Sequence, residues 1–254
     1  MKIMNLPILV FLLSVLVLWL AARIGSQLRL KRRPMDDDER EDLGVIVAAA
    51  LTLLGLIIGF TFSMAITRYD QRKNYEEEEA NAIGTEYLRV RLLPPADAAK
   101  TQALLRAYLD QRILFYNTIY PSRLRQVNAD TSKLQNDLWN AVQGPAEASP
   151  TPVVALAISG MNDVLNTQGY TQAAWWNRIP IAAWGLMVAI AICCNILIGY
   201  SSHRVETRAS RHFVLPLIVA ISFLLIADID SPRGGIIRIH PQNLTSLARS
   251  LSPQ

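Results

Sequence analysis

The sequence predicts an all-α membrane protein, with four transmembrane helices and a helical bundle of about 110 residues inserted between the second and third. Three observations carry that expectation. Four apolar runs, at about 6–22, 43–66, 180–200 and 213–227, approach or exceed the length needed to cross about 30 Å of hydrocarbon. Between the second and third runs, apolar residues recur at steps of three and four and never alternate as in a strand. The composition agrees: 51% hydrophobic, only 18% charged, and a mean hydropathy of +0.22. That balance suits a small membrane protein with a polar insert better than a soluble enzyme.

The first run, Leu6 to Ala22, is nearly continuous hydrocarbon. A cleaved signal peptide fits it poorly, because the basic cluster follows the run and no small-x-small cleavage site precedes that cluster. The second run, Leu43 to Ile66, has neither proline nor charge. Its helix is expected to continue without a break to Leu93, roughly 75 Å in all, crossing the membrane and entering the bundle. The third begins at Pro180, since proline is tolerated in a first turn, and ends near Tyr200. Phe213 to Ala227 is the shortest, with Pro216 expected in its first turn. The segments are then 1–66, a first membrane hairpin; 67–178, the water-exposed bundle; 179–227, a second hairpin; and 228–254, a tail.

Within the insert, Ala80, Ile83, Tyr87 and Val90 lie at helical spacing, and Pro94-Pro95 ends that helix. Thr101, Leu105, Tyr108, Phe115 and Ile119 mark a second bundle helix, stopped by Pro121. Val127, Leu134, Leu138 and Val142 mark a third. By composition "GPAEASPTP" (144–152) reads as a loop. A fourth carries Val154, Ile158, Met161 and Leu165, and Trp175-Trp176 after it reads as an interfacial belt.

Orientation rests on basic residues. Arg23, Arg29, Lys31, Arg32, Arg33 and Arg40 follow the first span, and Arg204, Arg208 and Arg211 lie between the third and fourth. Positive-inside counting places those loops in the cytoplasm, with termini and bundle outside. Lys2, Arg68, Arg72, Lys73, Arg178, Arg233 and Arg238 near the other ends narrow the margin. Six acids between Asp36 and Asp42 count little in this rule.

Several function classes fall away. The net charge of +4 is spread along the chain with no basic stripe interleaved with aromatics, which argues against nucleic acid. Cys193 and Cys194 are helix neighbours about 100° apart, poorly placed for a mutual disulfide and expected to be buried thiols. His203, His212 and His240 lack metal-binding spacing, and no nucleophile elbow or Walker lysine occurs, so neither a cofactor nor an enzymatic activity is expected. Asn195, deep in the third span, is expected to hydrogen-bond across helices or to mark a permeation site. No charge lies at mid-depth in a span, against a proton-coupled pump.

The stretch "GFTFSMAITRYDQRKNYEEEE" (59–79) holds the candidate functional residues. Gly55, Gly59, Ser63 and Thr67 recur every four residues, a spacing that lets helix backbones pack closely. Alternatively the helix lines a pore, with Thr52, Ser63 and Thr67 as polar positions and Leu56, Phe60 and Met64 as an apolar row that, in a ring of subunits, gates by dewetting. Arg72 with Glu76 and Lys73 with Glu77 stand at i,i+4, and Glu76–Glu79 reads as a solvated face rather than a cation site.

"LIIGFTFSMAITRYDQRKNY", "EEANAIGTEYLRVRLLP" and "ADIDSPRGGIIRI" resemble the bacterial bestrophin-like integral membrane family, over nearly the whole chain. Ile58-Gly59-Phe60 and Thr67-Arg68-Tyr69 are further similar to a pattern in the second membrane helix of bestrophin anion channels. That resemblance implies a homo-oligomer, a pentamer by analogy, in the bacterial inner membrane. It also implies permeation of small anions such as chloride, with Phe60 and Leu56 at neck positions of the pore. Thr52 departs from it, standing where an apolar neck residue belongs. Orientation departs too, because bestrophins keep their termini and helical bulk in the cytosol. Bestrophins also bind calcium through acids after the last span. Here Asp228 and Asp230 are weak metal candidates, far short of the roughly six to eight oxygens calcium takes, and are expected to form a polar turn. The leading expectation is therefore an oligomeric, anion-permeable channel. Its rival is a membrane-anchored helical sensor or scaffold without transport, separable by whether oligomer symmetry puts the second helix on an axis.

Overall fold

The computed structural model describes residues 6–30, 36–201 and 208–252. Lys2, Lys31, Arg32, Arg33, His203 and Arg204 lie outside the described residues, as do the side chains of Arg208, Arg211 and His212. The described residues are mostly helical, with no strand among them: α1 (Pro7–Leu30), α2 (Asp37–Arg89), a 3-10 turn (Val90–Leu92), α3 (Pro95–Asn117), α4 (Pro121–Ala148), α5 (Pro152–Trp176), α6 (Ile181–Ser201), α7 (Arg208–Asp230) and α8 (Gln242–Ser250). Four stretches are long and apolar enough to cross a membrane: α1, the early part of α2, the stretch ending in α6, and α7 from Phe213.

Proline is the first residue of α1, α3, α4 and α5, because a first-turn residue needs no N–H. Pro95, Pro121 and Pro152 each open a helix, and the Thr151 hydroxyl caps α5 by accepting from the Val154 amide at 3.3 Å. The acids before α2 have a comparable role. Asp36 accepts from the Glu39 amide at 2.8 Å, and Asp37, Asp38 and Glu39 place negative charge on the first turn.

The chain divides into two compact units, Met1–Tyr69 with Arg178–Arg238, and Asp70–Asn177 with Ile239–Gln254. In the first unit α1 packs on α6 and α7. Its core draws Leu18 from α1, Leu54 and Ala65 from α2, Met187 from α6 and Phe223 from α7, with Trp184 set edge-on to Phe223 at 5.9 Å. The second unit is the bundle, in which α3 packs on α4, α4 on α5, and α8 on α3.

Several local expectations need correction. Residues 144–148 are not loop: α4 runs through Pro145 to Ala148, leaving only Ser149–Thr151 between α4 and α5. Pro145 has no N–H to give the Ala141 carbonyl, yet the helix continues past it for one more turn, and its ring is buried. Ile119 lies past the end of α3, which stops at Asn117. Pro216 sits inside α7 rather than in its first turn, because the helix starts at Arg208. Trp175 belongs to the bundle core, edge-on to Phe115 at 5.0 Å and Tyr116 at 5.5 Å, while only Trp176 is exposed. Of the two cysteines Cys194 alone is buried, and both are free.

Candidate functional site

The membrane part of α2 has two unlike faces. Leu54, Thr61 and Ala65 point into the unit, with Ile57 and Ile58 beside them. On the other side Thr52, Leu56, Phe60, Ser63 and Thr67 are all exposed, Leu56 by 54% and Phe60 by 63%. The pattern follows from 3.6 residues per turn, which returns positions 52, 56, 60, 63 and 67 to one side. Met64 is exposed on the edge of the same strip. Both threonine hydroxyls on this face are already satisfied: Thr52 donates to the Ala48 carbonyl at 2.9 Å and Thr67 to that of Ser63 at 3.0 Å. Such back-bonded hydroxyls cost little beside lipid and still accept from water.

Gly55 and Gly59 share the open side, and a Cβ built on either would meet nothing of this chain within 4 Å. The close backbone approach lies elsewhere, between α1 and α6. A Cβ at Gly25 would stand 2.0 Å from the Ile196 carbonyl oxygen, and one at Gly199 2.0 Å from that of Ala22. Sequence reasoning missed this crossing, although a signal was there: Ala21, Gly25 and Arg29 on one helix and Ala191, Asn195 and Gly199 on the other, each at steps of four. Asn195 is fully buried nearby, but its amide donates within its own helix, to the Ala191 carbonyl at 2.8 Å. The expected cross-helix bond is therefore replaced by a local one.

At the end of α7 the two aspartates are occupied by the chain itself. Asp228 accepts the amides of Ile236 and Ile237, each at 2.8 Å, which folds the Ser231–Gly235 segment into a tight turn with Gly235 pressed on the carboxylate. Asp230 accepts from the Ile179 amide at 3.2 Å and faces Arg178 at 3.7 Å. This is the polar turn expected from the sequence. Among the described residues no group of three or more His, Cys, Asp or Glu comes together.

The glutamate run behaves against expectation. Glu77 and Glu78 are exposed, but Glu76 and Glu79 are buried, because α2 turns positions 72, 76, 79, 83 and 86 toward the bundle. Glu76 caps α8, accepting from the Leu244 amide at 3.0 Å and from the Asn243 side-chain amide at 2.7 Å. Glu79 pairs with buried Arg112 and also accepts from Tyr116 at 3.2 Å and Thr171 at 3.4 Å. Burial and the Glu79 charge push the Tyr116 hydroxyl well above the ordinary tyrosine range, so it stays a donor. Arg72 donates to the carbonyls of Ala174 and Asn177, at 3.1 and 3.0 Å, and so closes the C-terminus of α5. His240 is exposed, beside Asn117 and Arg249 in a polar cleft of about 390 Å³.

These features define a helical, multi-span membrane protein whose second helix keeps one side uncovered in the single chain. The sequence profile of the Bestrophin-like domain matches residues 8–244, and the chain belongs to the bestrophin-like family. Its fold is similar to that of a bacterial bestrophin homologue from Klebsiella pneumoniae. A structure of that protein with a tryptophan-to-alanine substitution shares 15% identity at a TM-score of 0.63, over 95% of each chain. A second, with a leucine-to-threonine substitution, shares 17% at 0.62, over 96% of this chain and 97% of the other. A structure described only as a membrane protein, with a leucine-to-alanine substitution, shares 14% at 0.62, over 94% and 97%. No curated protein sequence matches.

Proposed function

We propose that this protein assembles as a homo-oligomer in the bacterial inner membrane and forms an anion-permeable channel, with the open face of α2 lining the axis. One observation carries the reading: five side chains on one face of a membrane helix, Thr52, Leu56, Phe60, Ser63 and Thr67, find no cover within the chain. A ring of copies converts that strip into alternating bands, with hydroxyls at Thr52, Ser63 and Thr67 and an apolar constriction at Leu56 and Phe60. The constriction gates by dewetting, and the hydroxyl bands coordinate an ion without holding it. No acid lies between Leu43 and Thr67 to repel an anion. Gly55 and Gly59, small and open, leave room for a neighbouring copy's helix. A five-fold ring and chloride as the permeant ion follow from bestrophin analogy.

The test is anion flux into liposomes carrying the purified protein, together with its oligomeric state in mild detergent. A closed oligomer and a flux that rises several-fold in Phe60→Ala are expected. A monomer that passes no anion overturns the proposal.

A further inference from the structure

The bundle holds one buried acid that neither the fold nor the proposed channel uses. Glu86, on the inward stripe of α2, is fully buried, and neither of its carboxylate oxygens has a hydrogen-bond partner. Such a group is costly as an anion and far less costly as a neutral acid. Gly160 of α5 lies against it so closely that a Cβ there would stand 1.9 Å from Glu86 Oε2. The same Cβ would stand 2.8 Å from Arg89 Nη1, so the guanidinium and the buried carboxyl flank one small space at the helix crossing. That nitrogen is also the atom that faces Asp163 Oδ2 of α5, 3.8 Å away and partly exposed.

We propose that Glu86, Arg89 and Asp163 form a proton-operated latch between α2 and α5 at Gly160. While Glu86 is neutral, Arg89 is held outward by Asp163 and ties the two helices. When Glu86 releases its proton to solvent, Arg89 swings one group inward to the new carboxylate and lets Asp163 go. The first half of α5 then loses its ion pair with α2. A side chain at 160 would collide with both the Glu86 carboxyl and the Arg89 guanidinium, so glycine is what lets the two groups share this space.

The charges acting on Glu86 are Arg89 from its own helix, which favours the anion, and Asp163 from α5, which opposes it. Burial outweighs both and holds the carboxyl at about 8, so the exchange falls just above neutral pH. The latch stands whether or not the protein conducts ions.

The test uses the full chain in nanodiscs. Infrared titration reports a protonated carboxyl that disappears between about pH 7 and pH 9, and Glu86→Gln removes it. Hydrogen exchange, corrected for intrinsic rates, reports α5 protection over residues 152–165. Protection is expected to fall about tenfold from pH 6 to pH 9 in the natural protein and to stay level in Glu86→Gln. Asp163→Asn, which removes the opposing charge, shifts the infrared midpoint to lower pH. Absence of a carboxyl titrating in that range, or an equal loss of protection in Glu86→Gln, overturns the latch. Should Glu86→Gln fail to fold, an unshifted midpoint in Asp163→Asn overturns it instead.

Discussion

The membrane unit and the bundle are both helical, yet they are held by opposite means. In the membrane unit the helices meet through backbone: Gly25 and Gly199 bring α1 and α6 close enough that a methyl group would not fit. Within its spans, buried Thr61 and Asn195 turn to their own helices, to the carbonyls of Ile57 and Ala191, while Asp228 and Asp230 at the end of α7 reach other segments. In the bundle, charged side chains reach across helices: Glu79 to Arg112, Arg72 to the end of α5, Glu76 to the start of α8. Solvent shapes packing in each case. Lipid is as apolar as leucine, so burying a leucine in a membrane gains little and close van der Waals fit decides association. For a helical unit folded in water, as the sequence leads one to expect of the bundle, burial of carbon supplies the drive and buried ions can choose the register at a net cost the core sustains.

Removing an ion from the bundle is expected to cost the most. Arg112→Ala leaves Glu79 buried without its cation and is expected to lower stability by about 3–5 kcal/mol, read as the unfolding midpoint in denaturant. Glu86→Gln tests the same rule with the opposite sign. The folded protein holds this proton up to about pH 8, whereas the unfolded chain releases it near 4.5. Stability is therefore full below about pH 4.5, falls as pH rises, and is lowest above about 8. The glutamine variant removes that fall and gains on the order of a few kcal/mol at alkaline pH, measured by thermal unfolding across pH.

Gly199→Leu probes the membrane side. Its side chain collides with the Ala22 backbone, and a loss of about 1–3 kcal/mol or more is expected in the thermal stability of the purified protein in detergent. Gly59→Ala, on the open face, is the control: nothing of the chain lies there, so the isolated protomer changes by about 0.5 kcal/mol or less. Smallest in stability is Phe60→Ala, also within about 0.5 kcal/mol, because the ring touches little of its own chain. An effect of several kcal/mol there would show that Phe60 packs inside the protomer and would remove it from the pore.

Much of this was legible in the chain. Apolar runs mark the spans because length and hydropathy decide what can cross a bilayer, and prolines mark the starts of α3, α4 and α5 because a first turn loses no hydrogen bond to a missing N–H. The opposite faces of α2 follow from its period. Other features were ambiguous one residue at a time. "EEEE" reads as a wet surface by composition, yet two of its four glutamates sit in the core, since a helix divides neighbours between faces and burial depends on what the other helices bring. Pro145 reads as a loop signal, although α4 runs through it with its ring buried, a packing that no local pattern announces.

The class of fold, the family and the helix that bears the candidate residues depend on hydrophobic length, period and local motif, all of which are written in the chain. Tertiary structure alone decided which small residues make the close crossing. Gly25 and Gly55 look equivalent in a string, and only the first has a neighbouring backbone at 2.0 Å. It alone also decided which acids are buried, because a carboxylate's environment is built by side chains scores of positions away, as Glu79 by Arg112 and Thr171.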